Sequence, residues 1–190
     1  MNTPTPLPFI LTPEAVRRLI SDPLVEIGAR TRFALGACGL SSAEVGALDI
    51  AHVSTDGIGV RSIIIVPNRD ARRPQLEPTR RQAITDDARW LIGCWLDVRR
   101  RRCEHHRRLM RTYTDERGVL RCAACREVLE LLAAPLFDSR ESDRMSLRAI
   151  RHEFQRVRDM LGLEPSFHFD SLRESYLARQ FADEQRRGQK

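Results

Sequence analysis

Residues Phe167–Phe181 read FHFDSLRESYLARQF, an unbroken helical pattern. Leu172, Tyr176, Leu177 and Phe181 recur at helical spacing and form an apolar stripe. Asp170 is placed to cap the helix, and Arg173 follows it by three residues, on the adjacent turn. Pro165 leads into this helix, and Gly162 closes the one before it. That earlier helix starts at a Ser146 cap and carries Ile150, Phe154, Val157 and Leu161 on one face.

Further towards the amino terminus, Val128, Leu129, Leu131 and Leu132 suggest a helical segment ending near Pro135, followed by a polar loop over Asp138–Arg144. Ala88, Leu91, Ile92, Trp95 and Leu96 mark an amphipathic helix that runs into Arg99–Arg102. Ile58, Val60 and Ile63–Val66 are strand-like and stop at Pro67, with Ala83-Ile84 as a short return strand across an Arg- and Pro-rich tip. Three helices open the chain. Thr12-Pro13-Glu14 starts the first, with Val16, Leu19 and Ile20 inward. Pro23 begins the second, with Ile27, Phe33, Ala34 and Cys38 inward and Gly39 as its stop. Ser41 and Glu44 have capping-box spacing at the start of the third, with Val45 and Leu48 inward. The class is mainly α with a small antiparallel β-sheet, α+β.

A chain of 190 residues is long enough for an ordinary core. No apolar run approaches a membrane span, so a cytoplasmic protein is expected. The net charge is +6 and almost wholly arginine, since Lys190 is the only lysine. That balance admits a polyanion as partner, although genomic base composition alone can produce an arginine excess. The run Arg99, Arg100, Arg101, Arg102, with Arg107, Arg108 and Arg111 beyond it, is either a solvated face or a phosphate-binding one.

Residues 103–125 contain Cys103-x-x-His106 and Cys122-x-x-Cys125, two pairs separated by fifteen residues. Tetrahedral zinc takes four such ligands, and two tight turns supply two each. A structural Zn2+ held by Cys103, His106, Cys122 and Cys125 is therefore expected, with His105 as an alternative to His106. With four protein ligands no open position remains for chemistry. The expected organisation is a main domain over 1–98 and 128–190 with a zinc-binding insert at 99–127. Cys38 and Cys94 lie on helix faces and read as core thiols.

The order of elements resembles the catalytic domain of the tyrosine recombinases, or phage integrases. ILTPEAVRRLI, residues 10–20, is similar to that family's domain opening, and ACGLSSAEVGALDIAHV, residues 37–53, to its Gly-Leu-Arg-x-x-Glu segment. The resemblance implies a strand-transfer site of two arginines, a hairpin lysine, histidines and a Tyr nucleophile, acting on DNA. Position by position, the first Arg falls on Ser41 and the His of a His-x-x-Arg pair on Asp170, while Arg173 is retained. The hairpin lysine has no counterpart; Arg69, Arg72 or Arg73 could lie nearby, but guanidinium is a poor proton donor. No Tyr stands in the family's downstream place. Tyr176 belongs to the apolar stripe and Tyr113 to the insert. Arg173 is open to two roles, a phosphate contact or an ion pair with Glu44 or Asp170.

The expected function is a catalytically inactive, recombinase-like protein that binds DNA or a recombinase partner and serves a mobile element. Its expected DNA contacts are Arg69, Arg72, Arg73, Arg99, Arg100, Arg101, Arg102, Arg107, Arg108 and Arg173. The alternatives are a protein-interaction module without DNA, a recombinase subunit completed by a partner's Tyr, and a functionless remnant.

Overall fold

A computed structural model describes residues 10–56, 59–65, 79–100, 112–114, 116, 120–123, 126, 128–130, 135–138 and 144–188. The chain divides into two units, Met1–Gly46 with Met145–Lys190, and Ala47–Arg144.

The first unit is helical. Helix α1 spans Pro13–Ser21, with the Thr12 hydroxyl accepting the Ala15 amide and Ala15, Val16 and Leu19 buried. Helix α2 spans Ile27–Ala37 and starts later than Pro23 suggests. Asp22 explains the delay: its carboxylate accepts the Leu24 amide and its carbonyl the Val25 amide, which holds a turn before α2. Gly28, Ala29 and Thr31–Gly36 are all buried, so α2 is the central helix and is enclosed on nearly every side. Gly39 ends it at φ +96°, as its sequence position predicts. Helix α3 spans Ser42–Ala47.

Helix α5 covers Leu147–Met160, with the Ser146 hydroxyl accepting the Ala149 amide and Gly162 at φ +62° closing it. Helix α6 covers Phe169–Gly188. The rings of Phe33, Phe154 and Phe169 meet edge to face, with centroids 5.4–6.2 Å apart, and join α2, α5 and α6. Gly36 permits this approach, because a Cβ there would lie 3.0–3.2 Å from Leu172 and Phe169.

The apolar stripe expected on α6 is only half right. Leu172 is buried, but Leu177 and Phe181 are exposed, Phe181 at 63%. The inward face runs instead through Phe169, Leu172, Ser175 and Tyr176. Buried Ser171 and Ser175 are tolerated on that side because their hydroxyls are used: Ser171 Oγ accepts the His168 amide, and Ser175 Oγ donates to the Ser171 carbonyl and accepts the Leu11 amide at 2.7 Å.

Several arginines are structural. Arg32 and Glu153 form a two-pronged ion pair between α2 and α5, at 2.8 and 2.6 Å. Arg18 donates to the Leu161 carbonyl at the end of α5, Arg30 to the Ile20 carbonyl, and Arg158 to the carbonyls of Pro165 and Phe167. Each satisfies a carbonyl left open at a helix end or turn.

In the second unit, strands β1 Val53–Asp56, β2 Gly59–Ile65 and β3 Arg80–Ala83 form an antiparallel sheet in that order. Val53 faces Ile63, and Ile65 faces Arg80. The return strand thus comes earlier than Ala83-Ile84, with Ile84 buried just after it. Helix α4, Asp86–Arg100, packs on β2 and buries Ala88, Leu91, Ile92 and Trp95. Trp95 stacks on Phe137 and donates its indole N–H to the Leu136 carbonyl. Arg144 binds the Leu48 carbonyl and the Asp49 carboxylate.

A second antiparallel sheet has the order β4 Thr112–Thr114, β5 Leu120–Cys122 and β6 Val128–Glu130. This corrects the helix expected from Val128 and Leu129. The backbone there pairs with β5, Leu120 facing Glu130 and Arg121 facing Val128, so the apolar run satisfies its polar groups between strands.

Candidate functional site

The two positions where the resemblance places catalytic groups, Ser41 and Asp170, lie together at the start of α3. Ser41 is a helix cap, as expected. Its hydroxyl accepts the Glu44 amide at 3.3 Å, while Glu44 Oε2 receives the Ser41 amide at 2.7 Å and its hydroxyl at 2.9 Å. Asp170 does not cap its own helix. Its Oδ1 accepts the Ser42 amide at 2.8 Å and its Oδ2 the Ser42 hydroxyl at 3.2 Å, so it closes α3 from a distant part of the chain. The turn into α6 is secured separately: the His168 amide donates to Ser171 Oγ, and the Ser171 amide to the His168 carbonyl.

The chemistry of this cluster is the reverse of a phosphate cradle. Backbone donors at a helix start suit an anion, and here the carboxylates of Glu44 and Asp170 already hold the donors. Arg151 lies against Asp170 Oδ2 at 3.5 Å. The ion pair considered for Arg173 is not formed: Arg173 is half-buried and, among the described residues, pairs with neither Glu44 nor Asp170. Arg151 takes that place instead.

Tyr176 is a packing residue. A Cβ on Gly39 would fall 2.7 Å from Tyr176 Cδ1, so the ring lies directly over that glycine, and the phenol oxygen accepts from Gln180. Tyr113 stands in β4 opposite Arg121.

Of the expected metal ligands, Cys122 ends β5 opposite Thr112, whereas Cys103, His106 and Cys125, with His105, lie outside the described residues. Arg126, one residue past Cys125, has φ 60°, in the left-handed region. Cys38 is buried and Cys94 half-buried. Of the expected DNA contacts, Arg69, Arg72, Arg73, Arg101, Arg102, Arg107 and Arg108 lie outside the described residues, and Arg99 and Arg100 form the end of α4.

A basic surface that sequence reading missed lies on α5. Arg148, Arg151, His152, Gln155 and Arg156 are all exposed on its outer side. Arg148, His152 and Arg156 follow one another at four-residue steps, one row along the helix. The signal was available, since these are the positions left over once Ile150, Phe154 and Val157 are turned inward.

Among the described residues, no helix is long and apolar enough to cross a membrane. No protein-family model matches the chain, and no curated protein matches it. Solved structures do. The crystal structure of XerA recombinase matches with a TM-score of 0.64 at 16% identity, over 93% of this chain and 52% of that one. The Tn1549 transposon integrase in complex with circular intermediate DNA matches with a TM-score of 0.62 at 13% identity, over 96% and 55%. The same integrase in complex with transposon right end DNA gives 0.63 at 14%, over 96% and 56%. The chain spans about half the length of each of these structures. At such identities the likeness concerns the fold alone, and that fold is the tyrosine-recombinase catalytic domain, as the sequence resemblance implies.

Proposed function

We propose that this chain is a catalytically inactive, recombinase-like DNA-binding protein that assists or regulates recombination or transfer of a mobile element. The observation that carries DNA binding is the exposed row Arg148, His152 and Arg156 on α5, with Arg151 and Gln155 beside it, on a fold whose relatives are solved in complex with DNA. Arginine and glutamine on one helix face suit phosphates and base edges alike. Arg173, Arg99 and Arg100 add charge to their own units.

Loss of strand transfer is argued from Ser41, Asp170 and the missing internal lysine. Removing one preorganised transition-state donor lowers a rate by roughly 10²–10³, and here an arginine, a histidine and a lysine are replaced together. At the position that the resemblance matches to a histidine, Asp170 carries a negative charge, which disfavours a phosphate there. In this reading Cys103, His106, Cys122 and Cys125 hold a structural zinc that fixes the β4–β6 sheet, and the support for it is the ligand spacing in the sequence.

The test is duplex binding followed by fluorescence anisotropy across a salt series, together with a nicked suicide substrate. Expected are an affinity that falls steeply with salt, a slope reduced by about two in Arg148→Ala/Arg156→Ala, and no covalent adduct. Binding unaffected by that double substitution, or an adduct formed by the purified chain, would overturn the reading.

A further inference from the structure

The outer side of α5 carries acid as well as base. Arg148, His152, Gln155 and Arg156 are exposed there, and exposed Asp159 follows on the same side. Asp159 is taken up by Arg158, which is itself fixed by the carbonyls of Pro165 and Phe167. A second acid reaches this side of α5 from the neighbouring helix. Asp170 Oδ2 lies 3.5 Å from Arg151 Nη2, and among the described residues Arg151 has no other partner. Arg148 and Arg156 meet no acid among the described residues.

The two partners are held unequally. Asp170 is anchored by Ser42, whose amide it accepts at 2.8 Å and whose hydroxyl it accepts at 3.2 Å. Arg151 is 57% exposed and fastened by a single long contact. When the pair opens, the guanidinium moves and the carboxylate stays. Arg151 follows Arg148 by three residues and precedes Gln155 by four, so both are its neighbours on the helix surface. Paired to Asp170, Arg151 adds no net charge to the side assigned to DNA above. Released, it adds a full positive charge within that side.

We propose that Asp170 is an electrostatic brake on DNA binding: it holds Arg151 in an ion pair that a duplex must open before Arg151 can contact a phosphate. This rests on the function proposed above and names a control of the same surface. The competition is between two anions for one guanidinium, a fixed carboxylate and a backbone phosphate. An exposed pair of this kind is weak, so the brake amounts to about two- to fivefold in affinity. Phosphates carry no sequence information, so the brake lowers affinity for all duplexes alike. Asp170 thereby has two uses, one oxygen pair closing α3 and the same negative charge restraining Arg151.

Fluorescence anisotropy of a short labelled duplex, titrated with the full chain across a salt series, tests the brake in wild type, Asp170→Asn, Arg151→Ala and the double variant. Asp170→Asn keeps an oxygen for the Ser42 amide, and circular dichroism checks that it folds. It is expected to bind about two- to fivefold tighter at low salt, with a salt slope steeper by about one. In the Arg151→Ala background the same substitution is expected to lose most of that gain. Asp170→Asn that binds like wild type, or a gain undiminished by Arg151→Ala, would overturn the proposal. The Arg151 side-chain NMR signal in wild type, assigned by its loss in Arg151→Ala, reads the same event without touching Asp170. It is expected to shift on adding duplex, and a signal unmoved at saturation would also overturn the proposal. Binding weakened by Arg148→Ala/Arg156→Ala but indifferent to Asp170→Asn would leave the proposed function standing without the brake. Binding by Asp170→Asn and not by wild type would uphold the brake and sink the proposed function. Binding by neither would sink both.

Discussion

Asp170 grips Ser42 with both carboxylate oxygens, taking its amide at 2.8 Å and its hydroxyl at 3.2 Å across 128 residues of sequence. The acid therefore bridges the start of α6 to the start of α3, and its negative charge is committed to the fold. Beside it, Ser41 and Glu44 close the same helix end from within.

Asp170→Ala should destabilise the chain by about 1–2 kcal/mol, the usual range for losing a helix cap. Asp170→Asn should lose less, because its amide oxygen can still accept from Ser42. Thermal unfolding of the two variants checks this. Equal stability of Asp170→Ala and wild type would show that the bridge contributes nothing.

Gly39→Ala meets two penalties. The φ of +96° disfavours any side chain, and the new methyl would lie 2.7 Å from the Tyr176 ring. Left-handed backbone costs about 1–2 kcal/mol for alanine and overpacking about 1–3 kcal/mol. Chemical denaturation should show a loss of about 2–5 kcal/mol. Adding Tyr176→Leu should recover the overpacking part only. A Gly39→Ala chain as stable as wild type would contradict the packing role given to Tyr176.

Most of the fold was legible because it is written in local signals. Thr12-Pro13, Ser41-x-x-Glu44, Ser146 and Gly162 each act within a few residues of themselves, and each does what its spacing predicts. Asp170 was misread for the opposite reason. Its partner Ser42 is remote in sequence, and an acid near a helix start looks the same whichever helix it caps. The α6 stripe failed because periodicity counts Leu177 and Phe181 as inward candidates, whereas hydrogen bonds allow Ser171 and Ser175 to take the buried side. The strand at Val128–Glu130 was lost to its leucines, since a run this short carries no period of its own. Part of the arginine excess has a structural use that no spacing announces, since Arg18, Arg30 and Arg158 donate to backbone carbonyls at helix ends and turns.

The zinc reading makes its own prediction. Protein purified without chelator should contain about one zinc per chain, and Cys122→Ser should lose it together with the thermal stability of the second unit. Elemental analysis of both proteins decides the matter; metal-free wild type, or a Cys122→Ser variant that keeps its zinc, removes the site.

The Arg32–Glu153 pair offers the sharpest measure of how the first unit is held. Its side chains are only 6% and 11% exposed, and its two hydrogen bonds fasten the central helix α2 to α5. Glu153→Ala leaves a buried guanidinium without its carboxylate, a change that typically costs about 3–5 kcal/mol. For a chain of this size that corresponds to a fall in Tm of roughly 6–20 °C. Arg32→Met/Glu153→Leu removes both charges and fills the space with apolar groups, so it should recover most of that loss. Calorimetry on the two variants separates the possibilities: a small effect of Glu153→Ala would place the pair among ordinary surface bridges, and a double variant worse than the single would mean that the pair itself stabilises the unit.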